Sequence, residues 1–363
     1  MRILWLNWRD IKNPDSGGAE VLTHEIANRL VKKGHQATLF VSSFQGSDKY
    51  ENIDNVDIVR DGGKFTIYER AKKYYKNNKN SFDILVDEIN VKPFLTPKFV
   101  REIPIVALIH QTSPEQFTYE LPFPIGIIGK YFLEKKWLSY YKNISTVTVS
   151  ESTRKSLAEL GFRKVSVIKE GLSVIPLKEP AKKEGKPTIT FLGRLKKHKL
   201  PDHAILAFKK IKEQFPNSHM NVIGDGYLLE KLKRMNVGDI TFHGHISNSE
   251  KFDILSRSHL VLVPAIREGW GLVVVESNAM GVPVIAYTVP GLVDSVQNGI
   301  NGILISQNTP DEMARTAISL LNDIPQLKSL SETSIKYSKQ FDWDATTQQF
   351  EKVLLENLQN KVR

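Results

Sequence analysis

Chemistry is most densely written in the second half of the chain. Phe191-Leu192-Gly193-Arg194-Leu195-Lys196-Lys197-His198-Lys199 reads as a strand end, a glycine that clears space, and two cations five residues apart. Arg194 can grip phosphate oxygens in two places at once, and Lys199 adds a mobile point charge. A basic surface loop would use the same residues. Further on, Pro264-Ala265-Ile266-Arg267-Glu268-Gly269-Trp270-Gly271-Leu272-Val273-Val274-Val275-Glu276 runs from a buried strand through a glycine-broken loop into a helix. Unpaired amides at that helix start, around Gly271 and Leu272, suit a diphosphate. Glu276 sits beyond the first helical turn among valines, where a carboxylate needs a partner: a ribose diol or a structural cation would serve. Glu268 lies in the loop itself.

Weaker signals accompany these. Ile223-Gly224-Asp225-Gly226 is a strand-end turn whose glycines admit a close approach, though any turn needing positive φ would look the same. Asp15-Ser16-Gly17-Gly18-Ala19-Glu20 opens the first helix and offers its free amides to an anion, with Ser16 or Asp15 as the alternative reading, a simple helix cap. Gly-x-Gly-x-x-Gly, the dinucleotide fingerprint, is absent from it. His110 closes the run Ile105–Ile109, as a core histidine would, or as an imidazole facing sugar hydroxyls or developing charge. His243 and His245 have the spacing of metal ligands but no nearby third ligand, so no metal site is expected.

The elements that must position these residues alternate regularly. Short β-branched runs, Ile3–Leu6, Ala37–Val41, Val56–Val59, Asp83–Val86, Ile105–Ile109, Ser145–Val149 and Val165–Ile168, are separated by longer amphipathic stretches such as Ala19–Lys33. The pattern restarts with strands at Thr188–Leu192, Met220–Ile223, Ile240–Phe242, Leu260–Val263, Val284–Ala286 and Gly302–Ile305. Helices are expected there over Asp202–Phe215, Tyr227–Met235, Ser249–Arg257, Leu272–Met280 and Asp311–Leu321. The expectation is α/β: two doubly wound Rossmann-like domains facing a cleft, with ligands beyond the carboxyl ends of the strands. Residues 1–175 would form the first domain, 188–341 the second, and the proline-rich, charged stretch Pro176–Pro187 a hinge with almost nothing to bury.

Length and composition agree. The chain has 363 residues, 41% of them hydrophobic and 25% charged, enough for two globular domains and unlike a disordered chain. No apolar run is long enough for a transmembrane helix, and the N-terminus reads as a strand rather than a signal peptide, so a cytoplasmic protein is expected. With no cysteine, disulfides, thiolate metal sites and cysteine nucleophiles are excluded. The formal charge of +10 is concentrated in residues 60–80 and 130–164; outside those windows bases and acids balance. No nucleic-acid recognition module accompanies that charge, so nucleic acid is not expected as a partner.

Taken together, the motifs resemble those of the GT-B glycosyltransferases of family 4, the retaining, nucleotide-sugar-dependent group. The resemblance runs from Gly17-Gly18-x-Glu20 through His110, Gly193-Arg194 with Lys199, Gly224-Asp225-Gly226, and Glu268 with Glu276. It continues through Pro290-Gly291 and Asn298-Gly299-x-Asn301-Gly302 to Phe341-Asp342-Trp343. It implies that Arg194 and Lys199 neutralise a donor diphosphate, helped by the amides of Gly271 and Leu272, with no metal or other cofactor required. Glu276 would hold the ribose, Glu268 hydroxyls of the transferred sugar, and His110 would stand near the anomeric centre. Gly17 and Gly18 would admit diphosphate and acceptor. Gly193, Gly224, Asp225, Gly269 and Trp270 would line the donor site, and 342–363 would form a helix crossing back onto the first domain. A UDP-sugar is the favoured donor, a GDP-sugar the other. Leu200 stands where the pattern has glycine, Trp270 where it has phenylalanine, and Ser173 where it has an acid.

The segment Gln116–Lys142 interleaves aromatics, aliphatics and lysines without a spanning length, the composition of an interfacial segment on anionic lipid or of an ordinary helix with a basic outer face. The resemblance implies a lipid-linked or glycolipid acceptor, and with it a peripheral position at the inner face of a membrane. A soluble disaccharide synthase or phosphorylase on the same scaffold, or a nucleotide-sugar-binding protein without turnover, are the alternatives.

Overall fold

A computed structural model describes residues 1–112, 118–119, 125–128 and 132–362 of the chain. Of the interfacial segment Gln116–Lys142, residues 116–117, 120–124 and 129–131 lie outside those described. Two compact units divide the chain. One holds Met1–Thr118, the described residues from Ile125 to Gly171, and the stretch from Asp342 onward; the other holds Leu172–Phe341 and Tyr119.

The first unit is built on eight strands: β1 (Arg2–Leu6), β2 (Gln36–Val41), β3 (Tyr50–Ile53), β4 (Val56–Arg60), β5 (Ile84–Ile89), β6 (Ile105–Ile109), β7 (Ser145–Thr148) and β8 (Val165–Val167). Their order is β3-β4-β2-β1-β5-β6-β7-β8. Every pair is parallel except β3 with β4. β5 and β6 are buried at every residue, as strands covered on both faces must be. β3 escaped the sequence reading because Tyr50-Glu51-Asn52-Ile53 is half exposed and carries no apolar run. It is held by a two-residue turn with positive φ at Asp54 and Asn55, the hairpin geometry that suits right-twisted strands.

The second unit carries β9 (Thr188–Leu192), β10 (His219–Ile223), β11 (Ile240–Gly244), β12 (Leu260–Val263), β13 (Val284–Tyr287) and β14 (Gly302–Ile305). All are parallel in the order β11-β10-β9-β12-β13-β14. The chain reverses its direction of winding between β9 and β12, so the loops after those two strands flank the switch point where such sheets take ligands. A helix at Ile324–Ser338 was not anticipated. Its buried face mixes Leu327, Leu330 and Ile335 with Ser331, Ser334 and Ser338, and the serines dilute the apolar period.

Two boundaries depart from expectation. The change from one unit to the other falls at Gly171–Leu172, ahead of the expected hinge. The stretch Pro176–Pro187 is moored to the second unit. Leu177 donates its amide to Ala279 (2.9 Å), and Leu172, Val174 and Leu177 pack on that unit's core. Lys183 Nζ donates to the carbonyls of Ser256 and Gly281, both at 3.1 Å, tying two helix ends together. A linker rich in proline and charge found partners that its composition did not advertise. The closing helix, Trp343–Val362, belongs to the first unit. Phe350 stacks on Trp5 at 5.1 Å, and Asp344 and Glu351 pair with Arg29, Lys33 and His35.

Candidate functional site

In the second unit the loops beyond the strand ends are laced together by their backbones. Gly193 donates to Ile223 O (3.0 Å), Leu195 to Asp225 O (2.8 Å), Leu228 to Leu195 O (3.1 Å), and Gly224 to Gly244 O (2.9 Å). On the other side of β9, Ile266 donates to His198 O and Glu268 to Pro290 O, both at 3.0 Å. Glycine is obligatory where these loops touch. A Cβ on Gly224 would stand 2.2 Å from Gly193 O, and one on Gly291 2.1 Å from Glu268 O. The room that a side chain at Gly224 would need is filled by the backbone of Gly193, so the loop contact alone requires glycine there. Asp225 is exposed and accepts from the amide of Gly226 (2.6 Å).

Within this lacework, Lys199 Nζ meets Glu268 Oε1. Arg194 is half-buried at the end of β9 and makes no ion pair among the described residues. Gly271 precedes the helix Leu272–Ala279, whose first amides lie at the end of the Glu268 loop. Glu276 pairs with Lys251 Nζ at 2.8 Å, and that ammonium also lies 4.5 Å from the Phe252 ring centroid. The sequence left Glu276 a choice of partners, and the Lys251 cation is one that it takes. Trp270 was expected beside the sugar. Instead it is 2% exposed and packs edge-on against Phe341 at 5.5 Å, supporting the loop from beneath. Gly269 is half-buried in the same loop. Leu200 adopts φ +50°, so the left-handed backbone that glycine would provide survives with leucine, at about 1–2 kcal/mol of strain.

The helix bearing Glu276 is pinned by two asparagines. Asn301 Nδ2 donates to Asn278 Oδ1 (2.7 Å) and Ser295 O (2.9 Å), and its Oδ1 accepts from Gln297 (2.7 Å). Asn278 Nδ2 returns a bond to Asn301 O (2.9 Å). Both are fully buried, so Asn301 of the Asn-Gly-x-Asn-Gly motif serves as a brace.

The first unit's strand ends are organised by side chains. Gly17 and Gly18 open the helix Gly18–Lys32, but its cap is neither Ser16 nor Asp15. Glu20 accepts from the Gly17 amide at 2.7 Å and from Arg9 Nε at 3.1 Å. His110 is 7% exposed, and its Nε2 bonds Glu88 Oε1 at 2.9 Å. Burial pushes the imidazole pKa down, yet the bond from Glu88 and the charges of Glu88, Glu170 and Glu20 carry it above its ordinary value. Glu88 itself was missed. Its one signal is a pair of carboxylates, Asp87-Glu88, inside an otherwise apolar strand. Asp87 faces the other way and holds the loop after β5, accepting from Thr96 Oγ1 (2.6 Å), the amides of Phe94 and Thr96, and Tyr141.

Arg60, counted in the first basic window, belongs to the interior. It is 1% exposed and pairs with Asp10 (2.7 Å) and Glu51 (2.8 Å). His243, half-buried, bonds Asn221 Oδ1 at 2.9 Å, and among the described residues no three His, Asp or Glu side chains converge as metal ligands.

Two parallel α/β units, one with a cationic strand-end loop next to a helix start and the other with a buried histidine, define the class: a glycosyl-transferring enzyme of GT-B fold. The descriptions "Glycosyltransferase Family 4" and "Glycosyl transferases group 1" match residues 16–174 and 177–337, and the chain belongs to that glycosyltransferase family. The uncharacterized glycosyltransferase MJ1178 of Methanocaldococcus jannaschii is 30% identical over 60% of this chain and 60% of its own length. Sucrose-phosphate synthase from Thermosynechococcus elongatus superposes with a TM-score of 0.80 at 16% identity, covering 98% of each chain. Anabaena Alr3699/HepE in complex with UDP-glucose gives 0.75 at 17% identity, covering 98% of this chain and 100% of that one. At such identities these two likenesses are likenesses of fold. Among the described residues no helix is long and apolar enough to cross a membrane.

Proposed function

We propose that this glycosyltransferase moves a sugar, with retention of configuration, from a nucleoside-diphosphate sugar to a lipid-linked or membrane-associated glycan of envelope or glycoprotein assembly. The gathering of Arg194, Lys199, Glu268 and the helix start at Gly271 by interlocked loops carries the reading. Arg194, which makes no ion pair among the described residues, would take phosphate oxygens. Lys199 and Glu268 neutralise each other now and would exchange that pair for diphosphate and sugar hydroxyls. Glu276 would trade part of its bond to Lys251 for the ribose. The sugar–phosphate bond breaks as the acceptor oxygen bonds the same face of the anomeric carbon, and the departing phosphate oxygen takes the acceptor's proton. Positive side chains do this work in the proposed mechanism, with no metal. Uridine is favoured over guanosine as the base because a protein of like fold binds UDP-glucose.

Calorimetric titration with UDP, GDP, ADP and their sugar conjugates in EDTA tests the donor half. Micromolar binding of one nucleotide, lost in Glu276→Ala, is expected; no binding at millimolar concentration overturns it.

Surface chemistry supports the acceptor half. Ile125, Ile127, Phe132 and Tyr140 are large apolar side chains left exposed, and Lys135, Lys136, Lys142, Arg154 and Lys155 are exposed around the same stretch of chain. Together they suit an anionic bilayer surface. The likeness to sucrose-phosphate synthase favours a second reading, a water-soluble acceptor. Co-sedimentation with phosphatidylglycerol vesicles separates them: binding that fades with salt supports the first, and none at low salt the second.

A further inference from the structure

At the carboxyl ends of the central strands of the first unit, a single carboxylate serves three side chains. Glu88, 1% exposed on β5, accepts from His110 Nε2 through Oε1 at 2.9 Å. Its Oε2 accepts from Trp5 Nε1 at 2.7 Å and from the Thr23 hydroxyl. The donors stand just after β6, on β1 and on the helix Gly18–Lys32, three elements whose packing fixes where the carboxylate points. Indole can only donate, so Oε2 is committed, and Oε1 is left to the imidazole. A histidine whose Nε2 faces a carboxylate carries its proton on that nitrogen, and the second nitrogen, Nδ1, is the one Glu88 does not engage.

Three carboxylates favour the charged form of the ring. Glu88 comes from β5, Glu20 from the helix Gly18–Lys32 and Glu170 from the segment after β8, each buried. The nearby base Arg9, on the loop after β1, is already paired with Glu20 at 3.1 Å. Burial alone would strip the proton from the imidazole; the Glu88 bond and the three carboxylates reverse that, and the pKa ends above the ordinary value.

We propose that Glu88 is the positioning residue for His110: it fixes the ring through Nε2–H and favours its protonated form, so that Nδ1–H is the donor His110 turns to substrate. This rests on reading His110 as a group that contacts the donor sugar or its leaving phosphate. It assigns that contact a chemistry: His110 stabilises an oxygen that is gaining charge, and does not act as the base that deprotonates the acceptor.

The proton can be followed without substrate. In the full chain, the imidazole ¹⁵N signals of His110, identified by their loss in His110→Gln, are titrated in the wild type and in Glu88→Gln. The wild-type midpoint is expected above about 6.5, the unperturbed value. In Glu88→Gln, which removes the charge and leaves one acceptor oxygen for Trp5 Nε1 and His110 Nε2, it is expected to fall by about one pH unit or more. A wild-type midpoint at or below 6.5, or the same midpoint in both proteins, overturns the proposal. If Glu88→Gln does not fold, the wild-type midpoint alone decides. Because no donor is present, this readout is independent of the nucleotide-sugar reading, which fails separately if the nucleotide titration fails. In turnover, Glu88→Gln is expected to shift the alkaline limb of kcat/KM to lower pH and to approach wild-type rates on the acid side. An equal loss at every pH would mean that Glu88 only holds Trp5, Thr23 and His110 in place, and would overturn the assignment.

Discussion

The two sheets end in faces built on opposite plans. Beyond β9, β10 and β12, backbone bonds backbone: Gly193, Leu195, Gly224, Ile266 and Glu268 each give an amide to a neighbouring loop. The charged side chains there, Arg194 and the pairs Lys199–Glu268 and Lys251–Glu276, stay partly open to solvent. Beyond β1, β4 and β5 the order comes from carboxylates in the interior. Asp10 with Arg60, Asp87 with Thr96 and Tyr141, and Glu88 with Trp5, Thr23 and His110 each anchor a loop or a ring. Backbone lacing suits a face that must present fixed amides and unspent cations to an anion. Buried charge suits a face that must hold the protonation state of one imidazole. The faces should therefore break differently.

The largest break is expected at Arg194. Arg194→Ala removes a cation that leaves no ion-pair partner stranded among the described residues, so the fold should be intact by circular dichroism and thermal unfolding. Turnover should fall about 100- to 1,000-fold, the usual loss of one charge-stabilising donor at a transition state. Near-normal kcat/KM would remove the phosphate role and, with it, the claim that this face is the cationic one.

Next comes the lacing itself. In Gly291→Ala the new methyl would lie 2.1 Å from Glu268 O on a backbone at φ +85°, and neither neighbour can yield without moving its loop. We expect about 1–3 kcal/mol of lost stability by urea unfolding and a weaker donor affinity from displaced Glu268. Unchanged stability would show that the Pro290 and Glu268 loops are not braced against each other. Leu200 is the instructive contrast: it already holds a positive φ without glycine, so Leu200→Gly should leave kcat/KM within about threefold of wild type.

The same difference explains what the sequence disclosed. Glycine at a strand end is a local signal, and Gly193, Gly224, Gly271 and Gly291 marked the second face together with the cations between them. The alternation of strands and helices likewise located all six strands of the second sheet to within two residues. Glu88 and Asp10 gave no comparable sign, because their partners lie 22 and 50 residues away on other strands. Trp270 was misjudged for a related reason. Its type suggested a sugar neighbour, and only the fold brings Phe341 to cover it. Pro176–Pro187 was misjudged because a lysine bonding two carbonyls looks, in sequence, like any solvated lysine.

Acid and alkali should separate the units. His259, in the second, accepts the Thr188 amide on Nδ1 at 3.1 Å, and burial drives its pKa down to about 4. Between pH 4 and 6.5 the unfolded chain then binds more protons than the folded one, so this contribution is present above 6.5 and is lost as pH falls. His110, in the first unit, has the opposite sign: its pKa is raised, so its contribution is present below 6.5 and is lost as pH rises through the folded value. Hydrogen exchange at pH 5 and 7.5 should find strands β9 and β12 less protected at the lower pH. His259→Gln should flatten that dependence in the second unit alone. A second unit indifferent to acid would show that the Thr188–His259 bond contributes nothing.

The smallest expected effect lies outside both faces. Lys136 is exposed beside Phe132, which is itself 68% exposed. If the first unit meets an anionic surface there, one ammonium contributes about 1 kcal/mol at most, and Lys136→Ala should weaken binding to phosphatidylglycerol vesicles about fivefold at low salt. Raising the salt should shrink the difference, because the Debye length contracts from about 30 Å at 0.01 M to about 8 Å at 0.15 M. Phe132→Ser, which removes apolar contact and no charge, should weaken binding at both salts alike. If both variants behave as wild type while Arg194→Ala is inactive, the cationic donor face stands and the acceptor is a molecule met in water.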